Sequence, residues 1–200
     1  IPEGWEFEWL AVNVKRRGEF AQTYIEMTDA DWSKGIYVKV TGALNETDLK
    51  NIKKLTNLRC LDLADATFDA LPTSFLSNSP VKEITLPESL NAISSDAFEN
   101  CRSLQKVIAG GVKIIGSSAF YNCEKLTDFD LSGVTNIQDN AFCGCKSFAP
   151  SVLCESLNYI GNNAFSGTAV TEVAIPDGVT VLARYVFSGC KQLQKVTLPE

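Results

Sequence analysis

The sequence predicts one α/β solenoid domain, a right-handed coil with a parallel β-sheet on its concave side and short helices or 3₁₀ turns on its convex side. The first observation behind this prediction is a phenylalanine that recurs every 22 or 23 residues. The second is that apolar residues keep fixed offsets from it. Such a period is typical of units that must stack on one another to bury their apolar faces. The recurring residues are Phe75, Phe98, Phe120, Phe142, Phe165 and Phe187.

The half of each unit that follows the phenylalanine predicts a strand. After Phe98, apolar residues stand at Leu104, Val107 and Ala109, in the L-x-x-L-x-L pattern of a leucine-rich repeat. The last two of these positions are two residues apart and therefore face one side of a strand. Two earlier segments fit the same frame, which predicts a repeat domain over 36–200 with about eight rungs. The strands are expected near residues 38, 61, 84, 107, 129, 151, 173 and 196.

The half of each unit before the phenylalanine predicts the return along the convex side. Small and capping residues such as Ser94–Asp96 precede an Ala-Phe pair, and they suit a short helix or 3₁₀ turn. Residues 44–55 have helical spacing, with several possible N-caps in Asn45–Asp48. The fifth unit is expected to be distorted, because Ser151 occupies an apolar strand position. Prolines that should end strands follow at Pro87, Pro176 and Pro199.

Residues 1–35 do not repeat, and we predict that they form an N-terminal cap over the open apolar end of the first rung. Within them, Trp9–Val14 is expected to be a strand, and residues 20–25 have helical spacing. The alternative is a carbohydrate-stacking site made by Trp5, Trp9 and Trp32. At the other end the sequence stops in the middle of a unit. We expect trimming of a longer array there, with a partner that covers the last rung as the alternative.

The composition is that of a globular domain and argues against nucleic acid as a partner. Hydrophobic residues make up 45% of the chain and charged residues 21%, which is ordinary. A net charge of −6 and a pI near 4.8 are unfavourable for binding a phosphate backbone. No apolar run approaches the roughly 18 residues of a membrane span. No export signal stands at Ile1, so this start is expected to be a mature or trimmed end.

The seven cysteines predict a thiol ladder rather than a disulfide framework. Four of them stand three residues after a repeat phenylalanine, so they should stack as buried, free thiols. Parallel side chains on neighbouring rungs also make poor disulfide geometry. Three others are irregular, and the C-x-C pair has no histidine partners that would favour zinc. The ladder is Cys101, Cys123, Cys145 and Cys190, and the irregular residues are Cys60, Cys143 and Cys154.

Catalytic chemistry has few candidates in this chain. It has no histidine, which excludes His-based triads and His metal ligands. Asp128 and Asp130 flank Phe129 and should point outward about 7 Å apart, where they could act as acid and base or bind calcium. Lys106 lies beside them on the preceding rung, and no oxygen-rich loop follows. We therefore interpret the pair as a solvated acidic patch, and expect no enzyme activity, no cofactor and no metal site.

The outward residues of the concave sheet are the candidate ligand-binding site. They mix charges of both signs with apolar Ile108 and Val152, and apolar residues ringed by charge suit a recognition patch. Concave solenoid faces are also common protein-binding surfaces. The alternative is that they form only the solvent side of a sheet. Cys60 is expected on this face, together with Tyr37, Lys39, Asp62, Glu83, Thr85, Lys106, Ile108, Asp128, Asp130, Val152, Glu172 and Lys195.

The repeat resembles the leucine-rich repeats of the BspA-like family, which occur in surface proteins of anaerobic bacteria and some parasitic protists. The frame recurs at 115–129, 137–151, 160–173 and 182–196, and the likeness covers about residues 36–200. Gly144, Gly167 and Gly189 replace the family's usual asparagine. The residues that carry the resemblance are Ile93-x-x-x-Ala97-Phe98-x-Asn100-Cys101-x-x-Leu104-x-x-Val107.

The resemblance implies a secreted or cell-surface protein, and some family members are implicated in adhesion to host matrix proteins or other bacteria. Free thiols would be tolerable in an exported protein of an anaerobe. We therefore predict a non-catalytic binding module that recognises a protein through the concave sheet. A glycan-binding module that uses the N-terminal tryptophans is one alternative. A spacer within a longer surface protein is the other.

Overall fold

The computed structural model describes residues 9–28, 31, 36–150 and 153–199. Two helices and thirteen short strands follow one another along the chain. They are β1 (Leu10–Val14), α1 (Phe20–Thr28), β2 (Tyr37–Ala43), α2 (Glu46–Ile52), β3 (Cys60–Asp62), β4 (Ala66–Thr67), β5 (Glu83–Thr85), β6 (Ala92–Ile93), β7 (Lys106–Ile108), β8 (Ile114–Ile115), β9 (Asp128–Phe129), β10 (Asn136–Ile137), β11 (Tyr159–Ile160), β12 (Glu172–Ala174) and β13 (Lys195–Thr197).

The main sheet is parallel and follows the repeat. Its strands lie in the order β1-β2-β3-β5-β7-β9, and β4 pairs with the far end of β2. The apolar rung residues are register partners from coil to coil, so each stacks on the next inside the solenoid. This confirms the predicted strands near residues 38, 61, 84, 107 and 129. The stacked residues are Val38, Leu61, Ile84, Val107 and Phe129.

Among the described residues, the main sheet ends at β9, and β12 and β13 pair in a separate two-stranded sheet. The strand expected near residue 151 lies outside the described residues. Its neighbour Pro150 supplies a physical reason for the interruption. The backbone N–H of Asp128, one coil earlier, donates to the carbonyl oxygen of Gln105 at 3.1 Å. Pro150 stands at the equivalent position and has no N–H to donate.

The return segments form a second ladder built mostly from turns. Strands β6, β8, β10 and β11 pair in parallel, and turns follow them. The N–H groups of Asp96, Phe98 and Asn100 donate to the next coil, whereas the intervening N–H groups close turns within their own coil. Asp96 and Asn100 have positive φ angles of 55° and 57°. Within residues 36–150 and 153–199, α2 is the only α-helix.

This ladder corrects the alignment of the first repeat. The repeat spacing predicts that Phe75 occupies the position of Phe98. The N–H of Leu76, however, donates to Ala97, as the N–H of Phe98 donates to Ala119. Leu76 is therefore the true equivalent of Phe98. Phe75 contacts Phe98 edge-on at 6.2 Å, because its ring enters the core from the preceding position.

The remaining repeat phenylalanines share one interior, as predicted. Phe98, Phe120, Phe142 and Phe165 are fully buried in a single apolar cluster that runs from Val12 to Val186. Their rings stack nearly parallel, with centroids 5.2–5.6 Å apart. Phe187 continues the stack at 5.8 Å from Phe165 but is only partly buried. Each ring covers the next, so no unit has a complete core of its own.

The predicted thiol ladder is also confirmed. All seven cysteines are free, and Cys101, Cys123, Cys145 and Cys190 are buried. Each of these four thiols donates to a carbonyl of the previous coil, as Cys123 does to the carbonyl oxygen of Phe98 at 3.1 Å. Burial raises the pKa of Cys101 to about 12 and also raises the pKa of Cys123 and Cys145, so these three are neutral thiols that fill apolar space.

The N-terminal segment joins the solenoid through a strand and a carboxylate. Strand β1 pairs in parallel with β2 and adds a rung to the main sheet, while α1 contacts both β1 and α2. Asn45 caps α2 in a capping box with Asp48. The fully buried carboxylate of Asp48 also accepts bonds from the N–H groups of Gly18 at 2.6 Å and Phe20 at 2.8 Å. One side chain therefore caps α2 and holds the start of α1.

Candidate binding face

The candidate site is the outward side of the main sheet, which we call the sheet face. Because strands β1–β3, β5, β7 and β9 are in register, their outward side chains form rows that cross the strands. The first row is Tyr37, Cys60, Glu83, Lys106 and Asp128, and the second is Ala11, Lys39, Asp62, Thr85 and Ile108.

The first row begins with the aromatic residue Tyr37, which Trp9 borders, and ends with charges. Trp9 is 36% exposed and meets Tyr37 edge-on, with ring centroids 6.1 Å apart. Further along, the ammonium of Lys106 lies 2.8 Å from the carboxylate of Asp128. This hydrogen bond and the charge of Asp128 raise the pKa of Lys106, with a smaller contribution from Glu83. The first row therefore presents Lys106, which is paired with Asp128, between the acidic residues Glu83 and Asp128.

The second row carries another ion-pair cluster and an apolar residue. Lys39 lies 2.8 Å from Asp65 and 3.5 Å from Asp62. The hydrogen bond to Asp65, then the charge of Asp62, raises the pKa of Lys39. Three coils away from Lys39 along this row, Ile108 is 49% exposed. Asp65 follows β3 outside the regular strand positions, which is why the repeat pattern did not single it out.

The two aspartates considered for catalysis or calcium have separate partners. Asp128 pairs with Lys106. Asp130 accepts from the backbone N–H and the hydroxyl of Ser132, both at 2.8 Å, and these bonds lower the pKa of Asp130. Across the described residues, no group of three or more potential ligands from His, Cys, Asp and Glu comes together. This arrangement favours the interpretation of Asp128 and Asp130 as surface charges.

The structure divides the predicted site residues into three sets. Most of them lie on the main sheet or directly after β9. Glu172 and Lys195 are register partners on the separate sheet of β12 and β13, and in the part of the chain that the structure describes no backbone pairing joins them to the others. Val152 lies outside the described residues, as do Trp5 and Trp32. The residues brought together are Tyr37, Lys39, Asp62, Glu83, Thr85, Lys106, Ile108, Asp128 and Asp130.

One residue of the face lies where it was expected but is covered, and one contribution to the face was missed. Cys60 occupies an outward position between Tyr37 and Glu83 but is only 6% exposed. Burial raises its pKa to about 11, so it is not a reactive surface thiol. Sequence reasoning also missed that Trp9 borders the sheet face. The strand of residues 10–14 was predictable, but its register against β2 depends on tertiary pairing.

This stack of parallel strands with turn-built returns defines a leucine-rich-repeat solenoid. The family model described as the BspA type leucine rich repeat region matches residues 69–194 in six copies. The chain therefore belongs to the BspA type leucine-rich-repeat family. This confirms the resemblance drawn from the repeat residues.

Solved structures of bacterial leucine-rich-repeat proteins are similar to this chain. One from Bacteroides ovatus is 32% identical over 60% of this chain and 34% of its own length, with a TM-score of 0.56. The T. pallidum leucine-rich-repeat protein is 27% identical over 69% of this chain and 68% of its own, with a TM-score of 0.62. A leucine-rich cell surface protein from Faecalibacterium prausnitzii is 26% identical over 70% of this chain and 43% of its own, with a TM-score of 0.54.

These similarities define a class of repeat module associated with protein interaction. The chain spans about a third of the B. ovatus protein and less than half of the F. prausnitzii protein. No curated protein matches the chain. In the described part of the chain, neither helix has the length and apolar character needed to span a bilayer.

Proposed function

We propose that this chain is a non-catalytic binding module of an exported or cell-surface protein, and that it recognises a protein partner through the sheet face. The observation that carries the proposal is the composition of that face. An exposed apolar residue, Ile108, and an aromatic pair, Trp9 and Tyr37, share the face with charges of both signs. Apolar and aromatic anchors with a polar rim are typical of protein-recognition surfaces.

The charges on the sheet face favour selective recognition of a partner rather than catalysis. Lys106 and Lys39 each pair with a carboxylate, so the alternation of charge is present before a partner arrives. A preformed pattern of alternating charge selects a complementary surface and disfavours others. The surface or extracellular setting is supported by the family and by the F. prausnitzii protein, which is described as a cell surface protein.

The test is binding to immobilised extracellular-matrix proteins and to intact bacterial cells, with wild type and charge-reversed variants. Lys106→Glu and Asp128→Lys should each reduce binding at least fivefold. The double variant with both changes restores an ion pair with the charges exchanged, so it should recover thermal stability but not binding. Glu83→Lys and Asp130→Lys extend the scan across the face. Lys113→Glu, beside β8 on the second sheet, is the matched control and should bind like wild type.

Two outcomes would refute this assignment. In the first, the Lys106 and Asp128 variants bind like wild type. In the second, Lys113→Glu weakens binding as much as they do, which would indicate a general charge effect. A spacer role predicts the first outcome, because a spacer has no partner on this face.

Glycan binding is a second candidate function, which the exposed ring of Trp9 beside Tyr37 favours. An exposed indole can stack on an apolar sugar face. A glycan array that compares wild type with Trp9→Ala tests this candidate. Retention of every signal by the variant would remove Trp9 from consideration.

A further inference from the structure

A cleft of about 520 Å³ opens at the edge of the sheet face where strands β3, β5 and β7 end. It is lined by residues 64–67 on one side and 85–89 on the other, and Ile108 and Gly110 close its end. This size lies within the range of roughly 300–1,000 Å³ that is typical of ligand pockets. It is sufficient for one or two side chains of a partner.

The cleft exists because two neighbouring coils diverge. After β3 the chain turns back toward β2, where β4 pairs with Gly42 and Ala43, and the N–H of Leu44 donates to the carbonyl of Thr67 at 2.8 Å. Both coils are still paired with the following coil just before this point, since the N–H of Leu63 donates to the carbonyl of Thr85 and that of Leu86 to the carbonyl of Ile108, each at 2.8 Å. The next coil then makes no such backward pairing in the described residues, and the N–H of Leu90 instead donates to the carbonyl of Pro87 within its own coil at 3.0 Å. The backward pairing of β4 thus separates the two loops and leaves a gap between them.

The walls of the cleft are apolar and its rim is acidic. Ile108 is 49% exposed, Ala64 and Gly110 are exposed and small, and Pro87 is buried beneath them. On the rim, the carboxylates of Asp65 and Glu88 belong to the lining.

The net charge beside the cleft is negative even after the positive charge of Lys39 is counted. Lys39 lies within 4 Å of both Asp62 and Asp65. With the exposed Glu88, this part of the surface carries three carboxylates and one lysine, which gives a local net charge of −2. A purely apolar occupant would draw these carboxylates away from water without compensation. A basic side chain supplies that compensation.

From this arrangement we infer that the cleft docks a short segment of the protein partner in which a Lys or Arg neighbours an apolar side chain. The apolar side chain packs against Ile108 and Pro87, and the cation lies against Glu88 and Asp65. The inference rests on the proposed function and adds to it the chemistry of the bound segment.

Fluorescence anisotropy with labelled hexapeptides tests the inference on the intact chain. The probe peptide places Leu beside Arg in a Gly-Ser background, and two matched peptides replace Arg with Glu or Leu with Ser. Wild type should bind the Leu-Arg peptide at least tenfold more tightly than either matched peptide. Binding should weaken as salt rises from 50 to 500 mM, because the charges are exposed to solvent.

Variants of the lining then locate the binding. Glu88→Lys should lower affinity for the Leu-Arg peptide at least fivefold and reverse the preference between the Arg and Glu peptides. Ile108→Asp and Ala64→Gln, which change the apolar wall in different ways, should each remove binding while the melting temperature stays near that of wild type. Glu155→Lys makes the same charge change three coils away, at roughly 14 Å, and should stay within twofold of wild type.

A lack of preference for the Leu-Arg peptide overturns the inference, as does a Glu155→Lys variant that matches Glu88→Lys. Preferential binding of the Glu peptide would assign an acidic occupant and overturns it equally. The proposed function is judged separately by Lys106→Glu, which lies outside the cleft. If that variant loses matrix-protein binding while the peptides show no preference, only the cleft assignment fails.

Discussion

The phenylalanine stack provides the sharpest test of how this solenoid is stabilised. Phe120 is fully buried, and its ring lies 5.4 Å from Phe98, 5.2 Å from Phe142 and 5.3 Å from Phe129. A buried phenylalanine removes roughly 150–250 Å² from water, which at about 25 cal/mol per Å² is worth roughly 4–6 kcal/mol. Alanine keeps part of this burial but leaves a cavity. We therefore expect Phe120→Ala to lower the free energy of unfolding by about 3–5 kcal/mol.

Two further substitutions separate the effect of apolar volume from the effect of a phenylalanine's place in the stack. Phe120→Leu should cost about 1.5 kcal/mol or less, since it keeps most of the apolar volume, and Leu76 already occupies the equivalent position two repeats earlier. Phe187→Ala should cost about half as much as Phe120→Ala, roughly 2 kcal/mol. Phe187 is only partly buried, and among the described residues its ring contacts the ring of Phe165.

Urea unfolding followed by far-UV circular dichroism measures these differences directly. The reasoning requires the order Phe120→Ala, then Phe187→Ala, then Phe120→Leu, from most to least destabilised. An equal cost for the two alanine variants would contradict it, because the cost would then not depend on coverage by neighbouring coils. A loss below about 1 kcal/mol for Phe120→Ala would also contradict the predicted burial energy.

Three further predictions follow from buried polar groups and backbone geometry. Asp48→Ala should lower the free energy of unfolding, measured in urea, by about 3 kcal/mol, because the N–H groups of Gly18 and Phe20 lose a buried acceptor. Asp48→Asn should lower it by less, since one side-chain oxygen remains to accept. Gly144→Ala should lower the free energy of unfolding by about 1–2 kcal/mol, because Gly144 has a φ of 77° and a methyl group there would clash with the side chain of Asn122 in the preceding coil. An unchanged melting temperature would contradict the ladder geometry. The raised pKa of Cys101, about 12 against 9.0, means that the folded state keeps a neutral thiol while the unfolded state ionises. Stability should therefore be full below pH 9 and fall as pH rises toward 12, and Cys101→Val should reduce this loss between pH 8 and 11 in urea midpoints.

The sequence was sufficient for the periodic parts of the fold because each repeat position has one environment. Val107 and Phe129 could be placed in the core by their offsets, since residues two apart on a strand face the same side. The thiol ladder followed from the same logic, as Cys101 and Cys123 stand at one position of consecutive coils. Periodicity failed at Phe75, where the aromatic residue is displaced by one position and only the hydrogen bonds of Leu76 reveal the true register.

The candidate site was predictable in outline but not in extent. Alternation along the strands placed Lys106 and Asp128 outward, and their register brings them into the predicted contact. Alternation could not show that Cys60 would be covered, because exposure depends on tertiary contacts and not on which side of the strand a residue faces. It also gave no sign of the cleft at the sheet edge, which arises from the pairing of β4 with β2.

The amino-acid sequence by itself determined the repeat, the inward and outward residues of most strands and the family. These properties depend on local spacing, which a linear pattern records. The tertiary structure alone decided how Trp9 joins the sheet face and which loops separate to form the cleft. Those features depend on hydrogen bonds between residues 20 or more positions apart, as between Leu44 and Thr67, and such pairings are chosen by the packed chain as a whole.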